Sequence, residues 1–337
     1  MRVFQIENEW GMDNLKVSSR PDPKPGAGQV LLRMKASAIN FRDLLVPERG
    51  YGSHTGTLPL IVLGDGVGEV IEVGAGVTRV KVGDRALPCF CQAWTSGPPT
   101  PERMSRSLGG PADGTMAEYM CISQEAMVKT PAYLSDLEAG SLPCAALTAW
   151  SALVTYESLG PGSKVLVQGT GGVALFALQI AKLLGAHVTV ISSSDEKIAR
   201  ARALGADAAI NYKTTPEWYR ATRDITGGGG YDHIVELGGE KTLPQSLRCI
   251  RPGGTLSMIG VLSGGVMSAQ LGLVVTRQVR LQGITVGNRD GFEAMLRAFE
   301  QHKVQPTIDR AFAFEELKEA MAHLKKGAHF GKVCIQH

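Results

Sequence analysis

The chain has 337 residues, of which 44% are hydrophobic and 20% charged, with a formal net charge of +3. That length suits two domains or one large α/β domain, and that composition is typical of a soluble globular protein. The small net charge argues against a nucleic-acid partner, and MRVFQIENEW at the start has no long apolar core and reads as neither signal peptide nor anchor.

The six cysteines form no C-x-x-C pair. This argues against a disulfide framework or a zinc knuckle, so a reducing cytoplasm is the expected compartment. The apolar stretch Leu60 to Val77 is interrupted by Asp65, Glu69 and Glu72, so it is not expected to span a bilayer.

As far as about residue 125 the chain reads as β-rich, with short apolar runs (QVLLRMKASAIN, GDGVGEVIEVGAGV, VGDRALP, GTMAEYMCIS) punctuated by Gly and Pro. Cys89 to Gly114 reads as a loop-like insertion rich in Pro, Gly and Ser. From about Leu134 the segment DLEAGSLPCAALTAWSALVTYESL is expected to be helical, as two helices meeting near Pro143.

Then comes KVLVQGTGGVALFALQIAKLLGAHVTVISSSDEK. Its order is strand Val165–Gln168, glycine turn, long amphipathic helix, strand Val188–Ile191, which is the βαβ unit that binds a dinucleotide. Gly169 permits the tight turn, Gly171 lets backbone approach a pyrophosphate, and Ala174 sits where close helix–strand packing needs a small residue. The backbone of Gly169, Gly171, Gly172 and Val173 would then meet the phosphates at a helix N-terminus. A glycine turn without a ligand is the plainer alternative. The alternation continues with helix Asp195–Leu204, strand Ala208–Ile210, strand His233–Leu237, helix Leu243–Ile250, strand Thr255–Ile259 and strand Val279–Val286. This predicts a doubly wound parallel sheet of about six strands.

An NAD site carries Asp or Glu about 20 residues after the glycines. Here the second strand ends at Ser192 and Ser193, and no carboxylate occurs before Asp195. A serine hydroxyl donates to a 2′-phosphate that a carboxylate would repel, while Lys197 adds charge and Tyr212 another donor. The pattern favours NADP(H), with NAD(H) left open; Ser193 and Ser194 leading into a helix, with Lys197 solvated, is the alternative.

The tail returns to mixed structure: helices Gly291–His302 and Phe314–Lys325, then a short strand Lys332–Ile335. A nucleotide domain inserted into a discontinuous β-rich domain is expected, with boundaries at 1–146 and 287–337 for the outer domain and 147–286 for the inner one. The active site is expected in the cleft between them.

Five segments in order, GDGVGEVIEVGAGVTRVKVGDRA, DGTMAEYMCIS, LPCAALTAW, VLVQGTGGVALFALQIAKLLGA and HFGKVCI, resemble the medium-chain dehydrogenase/reductase superfamily over nearly the whole chain. The resemblance implies an α/β protein with a GroES-like β-rich catalytic domain and a Rossmann domain. Zinc alcohol dehydrogenases of that superfamily carry a catalytic Cys, a Gly-His-Glu and a second Cys. The matching positions here hold Asn40, Gly64-Asp65-Gly66 and Cys144, and the insertion stands where a four-cysteine structural lobe would be. One thiolate and one carboxylate do not make a tetrahedral site, so no zinc is expected and Cys144 reads as a small buried apolar residue.

The resemblance extends to the zinc-independent quinone oxidoreductases, or zeta-crystallin-like proteins. Their active-site Asn and Tyr match Asn40 and Tyr51, and their 2′-phosphate contacts match Lys197 and Tyr212. NFRDLLVPERGYG also resembles a zinc-less subgroup of NAD(P)-dependent alcohol dehydrogenases. By the family pattern Thr148 lies against the nicotinamide, and backbone near Ile259, Ile284 and Val286 holds the carboxamide. A homodimer through Rossmann edge strands is implied, with GGTLSMIGVLSGGVM as the candidate segment.

Without a metal, charge developing on a substrate oxygen must meet hydrogen-bond donors, and Asn40 and Tyr51 are the candidates. This favours quinones and enones, whose anions are delocalised, over plain alcohols. Blander readings stand beside each residue. Asn40 would satisfy backbone at a strand end, Tyr51 would be a loop residue between glycines, Asp65 would cap a turn, and Asp43 would pair with a nearby Arg. His54 reads as solvent-facing; Phe90, Trp94 and Met116 read as either pocket lining or satellite core. A non-enzymatic NADPH sensor or crystallin-like protein is the remaining alternative class.

Overall fold

The computed structural model describes residues 1–266 and 270–337. The strands, in chain order, are β1 (Arg2–Ile6), β2 (Leu15–Ser19), β3 (Gln29–Ile39), β4 (Leu60–Ile61), β5 (Asp65–Val73), β6 (Arg85–Pro88), β7 (Tyr119–Ser123) and β8 (Met127–Lys129), followed by β9 (Lys164–Gln168), β10 (His187–Ser192), β11 (Ala208–Asn211), β12 (Tyr231–Glu236), β13 (Ile250–Met258) and β14 (Arg280–Gly283), and then β15 (Ile308–Ala313) and β16 (Lys332–Gln336). The chain divides into two compact units, one of Met1–Leu147 with Val286–His337 and the other of Thr148–Thr285.

The first unit is built on antiparallel pairing. A seven-stranded sheet runs β15-β16-β3-β5-β6-β8, with β7 also paired to β3, and a small sheet runs β2-β1-β4. Alternation along β3 sends Val30, Leu32 and Met34 into one core with Val70, Ala86, Ile122 and Met127. Register decides the location of the chemistry. Ala38 near the end of β3 pairs with Asp65 at the start of β5, and Ile39 pairs with Val333 at the start of β16. The end of β3 and the starts of β5 and β16 therefore share one edge of the sheet.

The second unit holds a six-stranded parallel sheet in the order β11-β10-β9-β12-β13-β14. β9, β10 and β12 are buried along nearly their whole length, with apolar centres (Val165–Val167, Val188–Ile191 apart from Thr189, and Ile234–Val235), as strands covered on both faces are. The strand order reverses between β9 and β12, which is the switch point of a doubly wound sheet. Helix Gly172–Leu183 follows β9 and buries Ala174, Leu175, Ala177, Leu178 and Ala181.

Several expected elements shift. The last parallel strand stops at Gly283, short of Val286, and the segments Trp218–Thr226 and Leu271–Thr276 are helices that the pattern did not announce. The helical stretch after Leu134 comprises Asp136–Gly140 and Ala145–Trp150, the latter running on into a π-helical turn, Ser151–Thr155. Among the described residues, no helix is long and apolar enough to cross a membrane.

Candidate active site

The shared sheet edge in the first unit gathers three polar side chains. Asn40 follows β3, Asp65 opens β5 and Lys332 opens β16. Asn40 Nδ2 donates to Asp65 Oδ2 at 2.8 Å. Lys332 Nζ donates to Asn40 Oδ1 at 2.7 Å and to Asp65 Oδ2 at 3.0 Å. The triangle is closed and nearly dry: Lys332 is 2% exposed and Asp65 0%. Burial pulls the Lys332 ammonium's pKa down, but Asp65, first among its neighbours, more than offsets this and holds it above the ordinary lysine value.

Asp65 therefore departs from the expected turn cap. It is a strand residue in an ion pair, and the flanking glycines serve close packing. A Cβ at Gly64 would lie 2.7 Å from the Phe90 ring, and one at Gly66 would lie 2.8 Å from Met34 Cε. Cys144, of intermediate exposure, adjoins the triangle, and burial of its thiol, then the nearby Asp65 charge, pushes its pKa far up. Cys144 is thus held as a neutral thiol.

A second layer fixes Asn40 and leads to Tyr51. The Asn40 N–H donates to Asp43 Oδ2 at 2.7 Å, at the start of the single turn Phe41–Leu44. Asp43 is 1% exposed and faces Arg42 at 3.5 Å. Burial pushes its pKa up to about 6, against the pull of Arg42. Arg42 donates to the carbonyls of Leu108 and Gly110 at 3.0 Å each, and its guanidinium lies 4.8 Å from the Phe90 ring centroid and 5.7 Å from that of Tyr51. Burial, ahead of the opposing Arg42 charge, raises the Tyr51 pKa, so its hydroxyl stays protonated at neutral pH. Asn40 and Tyr51 are thus linked through Asp43 and Arg42. Phe90, Trp94 and Met116 are buried, and His54 is exposed.

In the second unit Gly169 takes φ +80°, a conformation that L side chains rarely adopt, and Gly171 precedes helix Gly172–Leu183, which no side chain caps. The first-turn backbone of Gly172 and Val173 is therefore suited to an anionic group. Ser192 is buried and its carbonyl accepts from Tyr212 N at 3.0 Å, which brings Tyr212 beside the end of β10. Ser194 caps the helix of Lys197, whereas Ser193 stands before it, half-buried. Asp195, the first carboxylate after the strand, accepts from Asn211 Nδ2 at 2.8 Å.

Thr148 is buried and donates to the Thr285 carbonyl at 3.1 Å. Ile259 N donates to the Glu236 carbonyl and Ile284 N to that of Met258, while Val286, in the other unit, is buried. The strand of the candidate dimer segment is β13, which is paired on both sides, with β12 and β14, so it is not the edge strand expected; the segment's last residue, Met267, lies outside the described residues.

Sequence reasoning missed Lys332. Its signal was a lysine in HFGKVCI, at the head of a strand whose next three residues are buried and apolar. It also missed Glu236, at the switch point, whose carboxylate accepts from Gln168 Nε2 at 2.7 Å and Ser246 Oγ at 2.5 Å, from the N–H groups of Gly238 and Gly239 at 3.1 and 3.0 Å, and from Thr242 Oγ1.

Residues 26–132 match the alcohol dehydrogenase GroES-like domain, and residues 172–301 match the zinc-binding dehydrogenase family. A zinc-type alcohol dehydrogenase-like protein of Schizosaccharomyces pombe is 40% identical over 97% of this chain and 96% of its own length. The chain belongs to the medium-chain dehydrogenase/reductase superfamily. As a member it is a nicotinamide-dependent oxidoreductase with a GroES-like and a Rossmann part.

Among solved structures of this superfamily, one from Sinorhizobium meliloti, titled as an alcohol dehydrogenase, superimposes with a TM-score of 0.94 at 41% identity, covering 100% of this chain and 98% of that one. An NAD-dependent alcohol dehydrogenase gives 0.91 at 32% identity over 100% of both chains. A 2-haloacrylate reductase gives 0.80 at 26% identity, covering 100% of this chain and 99% of that one.

Proposed function

We propose that this protein is a zinc-independent, NADPH-dependent reductase of quinones or of activated alkenes and carbonyls. The observation that carries the reading is the Lys332 ammonium on Asn40 Oδ1 and Asp65 Oδ2. The donor set at the positions matching the family's metal ligands does not fit zinc. It comprises an amide, a buried carboxylate already paired with a cation, and a single cysteine. Tetrahedral zinc requires deprotonated Cys, neutral His or free carboxylate ligands, and an ammonium among them repels a dication.

When bound, the cofactor supplies a hydride from C4 of its nicotinamide. The net reaction takes a quinone, NADPH and one proton to the hydroquinone and NADP⁺. The chain's own residues meet the charge that arrives with the hydride. Asn40 keeps one amide N–H beyond the one given to Asp65, and Tyr51 offers a protonated hydroxyl. Anions delocalised over a quinone or an enone suit two neutral donors, and the fold-likeness to a 2-haloacrylate reductase supports an activated alkene as acceptor.

Ser193, Lys197 and Tyr212 beside β10, with Asp195 engaged by Asn211, favour NADPH over NADH. A homodimer is proposed through the edge strand β14 and its surroundings, where Val261, Leu262, Val266, Leu271, Val275 and Leu281 are exposed. The six free cysteines agree with a cytoplasmic location. Reversible alcohol oxidation is the second reading, favoured by the names of the S. pombe relative and the NAD-dependent structure.

The test is oxidation of NADPH and NADH by chelator-stripped protein against a quinone, an enone, an aldehyde and a ketone, with alcohols run in reverse. Chelator-resistant turnover of quinone or enone, with NADPH preferred, is expected. Activity lost on chelation and restored by zinc would overturn the proposal in favour of alcohol chemistry.

A further inference from the structure

We propose that Lys332 is the fixed cation of this active site, acting on the substrate oxygen through the amide of Asn40, and that Asp65 is the counter-ion that keeps that charge in place. The inference rests on the metal-free reading above and assigns a working part to it.

The geometry carries the argument. Lys332 Nζ is 2.7 Å from Asn40 Oδ1, a charge-assisted hydrogen bond to the carbonyl end of the amide. Withdrawing electron density from Oδ1 polarises the conjugated C–N bond and makes the Nδ2 hydrogens better donors, as in any hydrogen-bonded chain within a low dielectric. One of those hydrogens goes to Asp65 at 2.8 Å, and the other is the amide's remaining donor. The same contacts fix the amide's orientation, because Oδ1 faces an obligate donor and Nδ2 faces a carboxylate. Lys332 is 2% exposed and Asp65 0%, so water screens the charge little. No bond forms or breaks at Lys332; its role is positioning and polarisation.

A structural role is the competing explanation, since Lys332 also joins the starts of β16 and β5. Two variants separate the explanations. Lys332→Met alone strands a buried carboxylate and risks misfolding, so the first is Lys332→Met combined with Asp65→Asn, which removes both charges together. The second is Asn40→Ala, which leaves the Lys332–Asp65 pair intact and removes the donor together with the relay, and so sets the loss that the double variant should approach.

The expected result in both is a folded protein with unchanged NADPH affinity, acceptor KM within a few-fold of wild type, and kcat lowered about 100-fold. The loss should be graded, largest for enones and smallest for strongly oxidising quinones, because acceptors that need least help with their developing charge depend least on the cation. A structural lesion would scale all acceptors alike. Wild-type kcat in the double variant, or an equal loss across the acceptor series, would overturn the proposal. Metal analysis of the wild-type enzyme keeps the two claims apart. Stoichiometric zinc with chelator-sensitive turnover overturns the metal-free reading and this inference with it, whereas metal-free turnover that survives in the double variant overturns only the role of Lys332.

Discussion

Glu236→Gln probes the switch point of the parallel sheet. The carboxylate is 0% exposed and its two oxygens accept from five donors. In the glutamine variant the new amide nitrogen must replace one oxygen. Facing Gly238 N, Gly239 N and Thr242, it would oppose two backbone donors that cannot rotate. Facing Gln168 and Ser246, it opposes one donor, because the Ser246 hydroxyl can turn and accept.

Gln168 cannot flip to help, since its Oε1 already accepts from the N–H groups of Leu237 and Gly238 at 3.1 and 3.0 Å. The cheaper orientation therefore loses one charge-assisted bond, about 1.5–3 kcal/mol, and weakens the rest, for a total of roughly 2–4 kcal/mol. Glu236→Leu leaves all five donors without this acceptor and is expected not to fold. Urea unfolding followed by circular dichroism and tryptophan fluorescence reads the difference, and NADPH titration shows whether the β12 loop has moved. A Glu236→Gln protein within about 0.5 kcal/mol of wild type, or a folded Glu236→Leu protein, would refute the reasoning.

Other outcomes follow from the same contacts. His337 packs on Phe314 and Ser37, and burial lowers its pKa to about 4, so below pH 6.5 the unfolded chain binds the proton first. Stability should fall by roughly 3 kcal/mol as pH drops from 6.5 towards 4, and His337→Phe should flatten that slope in urea unfolding across the range. Asp43 has the opposite sign: with its pKa raised to about 6, its contribution is full below 3.8 and lost as pH rises through 6. The stability of Asp43→Asn relative to wild type should therefore increase from pH 4 to pH 7; a constant difference would contradict the assignment. Tyr51→Phe should lower kcat about 100-fold with little change in the unfolding midpoint, because the residue is 43% exposed and keeps its ring. Lys197→Ala with Tyr212→Phe should weaken NADPH binding tenfold or more by calorimetry while leaving NADH nearly untouched.

The second unit was legible because its signals are local. A glycine at positive φ, an apolar strand and an amphipathic helix are all written within a few turns of chain. The missed helix Trp218–Thr226 shows the limit: Trp218, Ala221 and Ile225 recur at helical spacing and pack on the core, but the run is only nine residues long and its remaining buried positions are Thr222 and Thr226, so the apolar signal is short. In the first unit Asn40 and Tyr51 were visible as residues, whereas the triangle was not. Asp65 between two glycines looks like a turn until β5 is known to pair with β3, and Lys332 reads as an ordinary surface lysine until β16 takes its place on the other side. Long-range strand pairing supplies that information, and it has no local signature.

The spacing of the triangle also orders events during synthesis. Asn40 and Lys332 are 292 residues apart in the chain, with all of Thr148–Thr285 between them. On the ribosome, the contiguous nucleotide unit is complete before β16 emerges, so the unit that begins first finishes last. Until β16 docks against β3, Asp65 has no counter-ion and its burial costs several kcal/mol. A chain cut before Lys332 would therefore leave Asp65 without its counter-ion and the end of β3 without its β16 neighbour.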